Sequence, residues 1–158
     1  MRLRRDIVTL WIKNIGASDD RLPNKWYDCG SAEGEFRWHV RFSEQYNGKA
    51  IEKGALLLYH AFVEGRQSGH LCGVARISSD EPEWAPRGPG DKWPWKRATT
   101  PLLVVPLAAQ GPTLADVGID HPPMGGYKEV QPAPFGAAVR RLARNATPGD
   151  LPYLVPAP

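Results

Sequence analysis

Strict alternation of apolar and polar side chains from Phe36 to Phe42 sets Phe36, Trp38, Val40 and Phe42 on one side of an extended segment and Arg37, His39 and Arg41 on the other. A period of two belongs to a strand with one wet face. Upstream, Ile7 to Lys13 is β-branched and aromatic and too short for a core helix. It stops at Asn14 before a Gly-Ala-Ser-Asp-Asp stretch, so it is expected to be the opening strand. Between these runs, Gly16 to Glu35 is rich in Gly, Ser, Asp and Asn with Trp26 and Tyr27 embedded, the composition of a long loop or insertion and not of a packed element. Ser43 is placed to cap a short helix toward Tyr46, which Asn47-Gly48 would end at once.

Ala55 to Phe62 is a continuous apolar run behind Gly54, and His70 to Ile77 is a second one. The polar turn from Glu64 to Gly69 joins them, which predicts a hairpin. Gly73 inside the second strand implies a sharp bend or a close approach by another group. From Ser78 to Pro94 the chain is too dense in Pro and Gly for regular structure. Trp95 to Leu107 follows as a strand that Pro101 and Pro106 would confine to an edge or split into two pieces. Thr113 to Val117 reads as a capped turn closed by Gly118. Phe135, Val139 and Leu142 recur at helical spacing with Arg140, Arg141 and Arg144 on other faces, an amphipathic helix. The elements predict one mainly β domain with peripheral helices (α+β) over residues 1–147. A Pro-rich tail over 148–158 would lie extended, anchored by Tyr153, Leu154 and Val155.

Composition narrows the chemistry. The 158 residues carry 20 Lys and Arg against 17 Asp and Glu, a net charge of +3 that tilts only mildly toward anionic partners. Two cysteines, Cys29 and Cys72, supply neither a disulfide framework nor a zinc set, so a reducing, cytoplasmic setting is expected. The start Met1-Arg2-Leu3-Arg4-Arg5 resembles the charged region of an export signal. Asp6 and Lys13 interrupt the apolar stretch after it, and no small-residue cleavage site appears. No apolar run approaches the ~18 residues of a membrane span, so no membrane partner is expected. His70 and Cys72 share a strand face without further ligands at metal-binding spacing, which leaves Cys72 as a core thiol and no metal site. Neither a Gly-rich phosphate loop, an HExxH helix nor a nucleophile elbow occurs, and Glu33, Glu35 and Glu52 sit in no motif; no catalytic residue and no cofactor is expected.

Six tryptophans remain to be explained, most of them beside Lys, Arg, His or Pro, and the densest cluster is Trp93-Pro94-Trp95-Lys96-Arg97. Any single Trp is ordinarily a core residue. Aromatic faces interleaved with cations also suit nucleic acid, where rings stack on bases and cations meet phosphates. Lys13 and Asn14 offer donors at the end of the first strand beside Trp11, and His39 and His60 follow aromatic residues on separate strands. Lys96, Arg97, Arg140, Arg141 and Arg144 are the candidate phosphate contacts.

The order of Leu10-Trp11-Ile12-Lys13-Asn14, then Trp38-His39-Val40, Lys53-Gly54-Ala55 leading to Tyr59-His60, Gly73-Val74-Ala75 and the Trp93 to Arg97 run resembles the EVE domain. That domain belongs to the PUA-like superfamily, which also holds the YTH readers of methylated adenine in RNA. Ala55 stands where the family usually has Asp, and Arg41-Phe42 follow the Trp-x-Val where many members keep an Asn. The resemblance covers roughly Val8 to Arg144 and implies a small, mixed but mostly antiparallel β-barrel of PUA-like type. It further implies a pocket for a modified nucleobase of DNA or RNA, a reader and not a catalyst. Carried onto this sequence, its aromatic walls are Trp11, Trp38, Tyr59 and Trp95, with Lys13, Asn14 and His60 as polar contacts. Two other readings stand beside it. One is a hydrolase of the related ASCH type acting on a modified nucleoside, for which Lys49 and Glu52 offer a superficial pair. The other is a protein-interaction domain whose tryptophans form an interface, with a partner protein or a homodimer left open.

Overall fold

A computed structural model describes residues 8–27, 36, 38–124 and 126–145. β1 (Leu10–Gly16) lies parallel to β3 (Leu56–Ala61), and β3 turns back antiparallel into β4 (His70–Ile77), the expected hairpin. β4 pairs with β6 (Trp95–Val104), whose first half is flanked by β2 (His39–Phe42) and by the short β5 (Glu83–Trp84). β7 (Tyr127–Glu129) completes the far edge, giving the order β2-β6-β4-β3-β1-β7 with β5 beside β6. The described chain is thus a mainly β, mostly antiparallel sheet. It is accompanied by α1 (Leu114–Val117) and α2 (Pro132–Asn145), as the hydrophobic pattern predicts.

Several boundaries depart from the sequence reading for identifiable reasons. β1 does not stop at Asn14 but runs to Gly16, because a register irregularity between Asn14 and Gly16 lets the strand continue past the polar residue. β6 is neither an edge strand nor split: Pro101 faces Ala75 beside a register irregularity at Val74/Ala75, which takes up the missing N–H. β2 begins only at His39, so of the alternating set Val40 and Phe42 are buried while Trp38 stands 69% exposed. No helix follows Ser43, although its Oγ accepts from the Tyr46 N–H at 3.0 Å as a cap would. Within the described part of the segment after β1, Trp26 and Tyr27 are packed into the core, contrary to expectation. Trp26 is fully buried, donates from Nε1 to the Val105 carbonyl at 2.9 Å and meets the Tyr59 ring edge-on at 6.0 Å. Gly73 is approached closely, since a Cβ there would lie 3.1 Å from the Leu103 carbonyl oxygen and 3.3 Å from Trp26 Cη2. Three residues are too few to be read as a strand from periodicity, and β7 was not anticipated. Cys29 and the tail over 148–158 lie outside the described residues.

The sheet curls until its two edges meet through side chains. Phe42 of β2 is fully buried and presents its ring to Tyr127 of β7 at 5.5 Å and 85°. A second fastening lies at Arg97. Its guanidinium is buried and donates from Nη1 to the carbonyls of Gly48 and Ile51, both at 2.8 Å, and from Nη2 and Nε to Ser79 O and Oγ at 2.7 and 3.0 Å. This corrects the expectation of a phosphate contact, since a buried fork satisfying backbone carbonyls has no face for a ligand. α1 is set by a Thr113–Asp116 capping box and closed by Gly118 at φ 82°, and α2 buries Phe135, Ala138 and Leu142.

Arg97→Lys keeps the charge but loses the fork, leaving carbonyls without donors. Urea denaturation is expected to show a loss of about 3 kcal/mol, whereas a residue that merely touched phosphate would lose little stability.

Candidate functional site

Where the end of β1, the turn after β2, residues 87–93 and the Pro123–Gly126 loop converge, they enclose a cleft of about 710 Å³. That lies within the roughly 300–1,000 Å³ of small-molecule sites. Its floor is Lys13 and Asn14, its apolar walls include Phe36, Tyr46 and Trp93, and Arg87 and Lys92 stand at its rim.

Each wall is held by a traceable bond. Asp91 organises the 87–93 segment. It accepts two hydrogen bonds from the Arg87 side chain at 3.0 and 2.8 Å, one from the Arg87 N–H at 2.9 Å and one from the Trp93 N–H at 3.0 Å. The Arg87 guanidinium, aided by these backbone donors and opposed by burial, holds the Asp91 carboxyl well below the usual range. Arg41 adds donors to the carbonyls of Ala85 at 2.7 Å and Trp93 at 3.2 Å, so the Trp93 backbone is fixed at both its N–H and its C=O. Ordering the backbone in advance lowers the entropy that binding against this segment would cost.

Asn14 is fixed as firmly. Its Nδ2 donates to the Pro123 carbonyl at 3.2 Å, which turns Oδ1 toward His60 Nδ1 at 2.7 Å; the imidazole therefore donates from Nδ1. Burial, with a smaller contribution from His70, lowers the His60 pKa to about 4. Gly69 leaves the room that the imidazole occupies, since a methyl there would collide with it. Next to Asn14, Lys13 is 1% exposed and its Nζ donates to the Asn14 carbonyl at 2.6 Å. That nitrogen sits 4.9 Å from the Phe42 ring centre and 5.4 Å from that of Trp93, and burial brings its pKa down to about 7.

Of the residues singled out from sequence, the cleft gathers Lys13 and Asn14 directly and His60 through Asn14. The expected aromatic walls lie elsewhere. Trp11 packs edge-on against Tyr127 at 5.7 Å and donates to Thr9 Oγ1, while Tyr59 is buried, with its hydroxyl 3.4 Å from Thr99 Oγ1. Trp95 stacks edge-on with Trp84 at 5.1 Å outside the cleft, and Trp38 is at the surface. His39 pairs with Ala98 along the β2–β6 ladder, away from the cleft walls. Lys96 lies 3.4 Å from Glu83, and Arg97 is internal. Arg140, Arg141 and Arg144 are exposed on α2; Arg141, which bridges to Asp116 at 3.6 Å, lines with Arg144 a separate depression of about 310 Å³. Lys49 and Glu52 are exposed and outside the cleft walls.

Sequence reasoning missed Trp93, Tyr46, Arg41 and Arg87. A signal for Trp93 was present: Asp91 lies two residues before it, the spacing at which a carboxylate caps a backbone N–H in an Asx-type turn. Trp95, two residues on, is the first residue of β6 and lies outside the cleft walls.

His60 gives the site a pH signature. Its folded pKa lies below the ordinary value of 6.5, so between these values the folded protein binds fewer protons than the unfolded chain. The stabilisation it contributes is complete above pH ~6.5 and is lost as pH falls through ~4, on the order of 3 kcal/mol. Urea unfolding of wild type and His60→Gln across that window is expected to show a shallower decline in the variant.

No family model and no curated protein matches the chain. Among solved structures, it is similar to a hypothetical protein from Leishmania major, with a TM-score of 0.51 at 11% identity, covering 89% of this chain and 98% of that one. A protein from Pseudomonas putida gives a TM-score of 0.45 at 13% identity over 84% of this chain and 98% of its own. At such identities the first likeness speaks to the fold alone. Among the described residues no helix is long and apolar enough to cross a membrane, and no cluster of His, Cys, Asp or Glu is arranged to hold a metal.

Proposed function

We propose that the cleft binds a modified nucleobase of DNA or RNA, and that the chain is a nucleic-acid-binding module of EVE, PUA-like type without catalytic chemistry. The observation that carries this reading is the Trp93 indole, on a backbone held at both its N–H and its C=O, beside the polar floor of Lys13 and Asn14, in a cleft of about 710 Å³ with Arg87 and Lys92 at its mouth. A base needs a flat surface for stacking and donors and acceptors for its edges, and its phosphates need cations outside. The cleft offers each of these. Tyr46, 44% exposed, adds a second aromatic surface near the entrance.

Binding to strands carrying different modified bases, measured at two salt concentrations, tests the reading. Trp93→Ala is expected to lose about 1–3 kcal/mol of affinity for the preferred base, while salt-sensitive binding to unmodified strands persists. Lys92→Ala should weaken all strands alike and reduce the salt slope by about one. An unchanged profile in Trp93→Ala would remove the cleft from consideration. Trp38→Ala is the informative control, because its exposed indole is outside the cleft and its loss should leave base preference intact.

A further inference from the structure

We propose that the base this cleft prefers carries an anionic oxygen-bearing substituent, a carboxylate being the clearest case, which the Lys13 ammonium receives between the Phe42 and Trp93 rings. The inference rests on the reading of the cleft as a base pocket and adds the chemistry of the mark.

Among the described residues, Lys13 is a cation without a counter-ion. A protonated lysine has three donors, and the one hydrogen bond found for Nζ goes to the Asn14 carbonyl at 2.6 Å. No carboxylate among the described residues forms an ion pair with it. The Phe42 and Trp93 faces attract the ammonium, yet rings return far less than the several kcal/mol that desolvating an ion costs. The ammonium is therefore held at a cost, relieved either by loss of its proton, which burial brings down to a pKa of about 7, or by an incoming acceptor. Gly126 lies beside the amine: its φ of 100° favours glycine, and a Cβ there would stand in ordinary contact with Nζ at 3.7 Å.

An alkyl mark and an acidic mark would fare differently in this place. A methyl group beside Nζ would return nothing to it, driving the lysine further toward its neutral form. A carboxylate would supply both the missing charge and acceptors for the remaining donors, and a charge-assisted bond in such a setting is roughly twice as strong as a neutral one. Other ionisable groups surround the position: Asp20 and Glu44 on the walls, Arg41 after Val40, Arg87 and Lys92 at the rim, and Tyr127 opposite Lys13 on β7. His60, behind Asn14, changes charge near pH 4 and so stays neutral through the window in which Lys13, near 7, titrates. Since the acidic mark binds the protonated amine, its affinity should fall by about tenfold from pH ~6 to ~8 as the competent fraction shrinks.

The test uses matched strands, DNA and RNA, bearing one 5-carboxycytosine, one 5-methylcytosine or cytosine, together with the free 5-carboxycytidine nucleoside. Wild type at pH ~6 is expected to bind the carboxyl strand about tenfold or more tighter than the methyl strand, and to bind the free nucleoside measurably. The preference should be largely lost at pH ~8. Lys13→Met should erase it at both pH values. A preference that survives in Lys13→Met belongs to Arg87 and Lys92 and overturns the proposal, as does equal binding of both marks by wild type; either result leaves the base pocket standing. If neither mark exceeds cytosine and Trp93→Ala changes nothing, the pocket reading and the proposal fall together. NMR titration of the Lys13 amine in the wild-type protein serves as an independent measurement. Its pKa should rise well above about 7 with the carboxyl strand bound, and a value that stays in place refutes the contact.

Discussion

The placement of the cleft depends on the Phe42 ring. It is the side chain through which the two edges of the curled sheet touch, edge-on to Tyr127, and its face carries the Lys13 ammonium. Tyr127 in turn meets Trp11, so β1, β2 and β7 are fastened around one aromatic group. Gly48 follows from the same constraint, because a Cβ there would come within 2.9 Å of the Phe42 ring and its φ of 80° is a glycine conformation. An open sheet with these strands at opposite edges would put Lys13 and Trp93 far apart. Curling brings the end of β1 under the segment that carries Trp93, and the cleft is the space that remains.

Polar groups hold the irregular segments around the cleft. Asp91, Arg87 and Arg41 hold the irregular 87–93 segment through backbone contacts, and the pair His60 and Asn14 ties the Pro123 loop to β1. Both devices act on chain that has no ladder of its own, where fixing the backbone is otherwise costly in entropy. Arg97 does the same for the turn around Gly48 and Ile51, which lies next to Phe42. Arginine suits these positions because its planar fork serves several carbonyls at once, a geometry lysine lacks.

This division explains what was legible in the sequence. Strands β1, β3 and β4, the capped turn of α1 and the amphipathic α2 all announce themselves, because each combines a local period with a turn or cap residue. Lys13, Asn14 and His60 were legible as polar positions late in apolar strands, and the structure brings the first two into the cleft and the third against Asn14. The aromatic wall was not. Trp93 lies in a Pro- and Gly-rich segment without periodicity, and its orientation comes from Asp91 and Arg41, the latter fifty-two residues away. Trp11, Trp26 and Tyr59 took core roles because a mostly β domain of this size needs large rings to fill a curled interior, which composition alone does not assign to particular positions. Likewise, Arg97 in a run of aromatic and basic residues looks like surface until the carbonyls it serves are seen.

The charge distribution bears on how a strand would approach. Arg87 and Arg41 lie against Asp91, so much of the rim's positive charge is already compensated, and the net charge of the chain is only +3. A modest field gives little long-range steering at physiological ionic strength, where screening acts over about 8 Å. The arginines of α2 do not extend the rim, since Arg141 and Arg144 line a different depression and Arg141 is paired with Asp116. In the reading proposed here, selectivity therefore has to be generated inside the cleft, by stacking on the Trp93 indole and by the desolvated amine beneath it. A protein that gripped the backbone strongly would bind every strand alike; one with a weak grip and a demanding pocket discriminates by the base it admits.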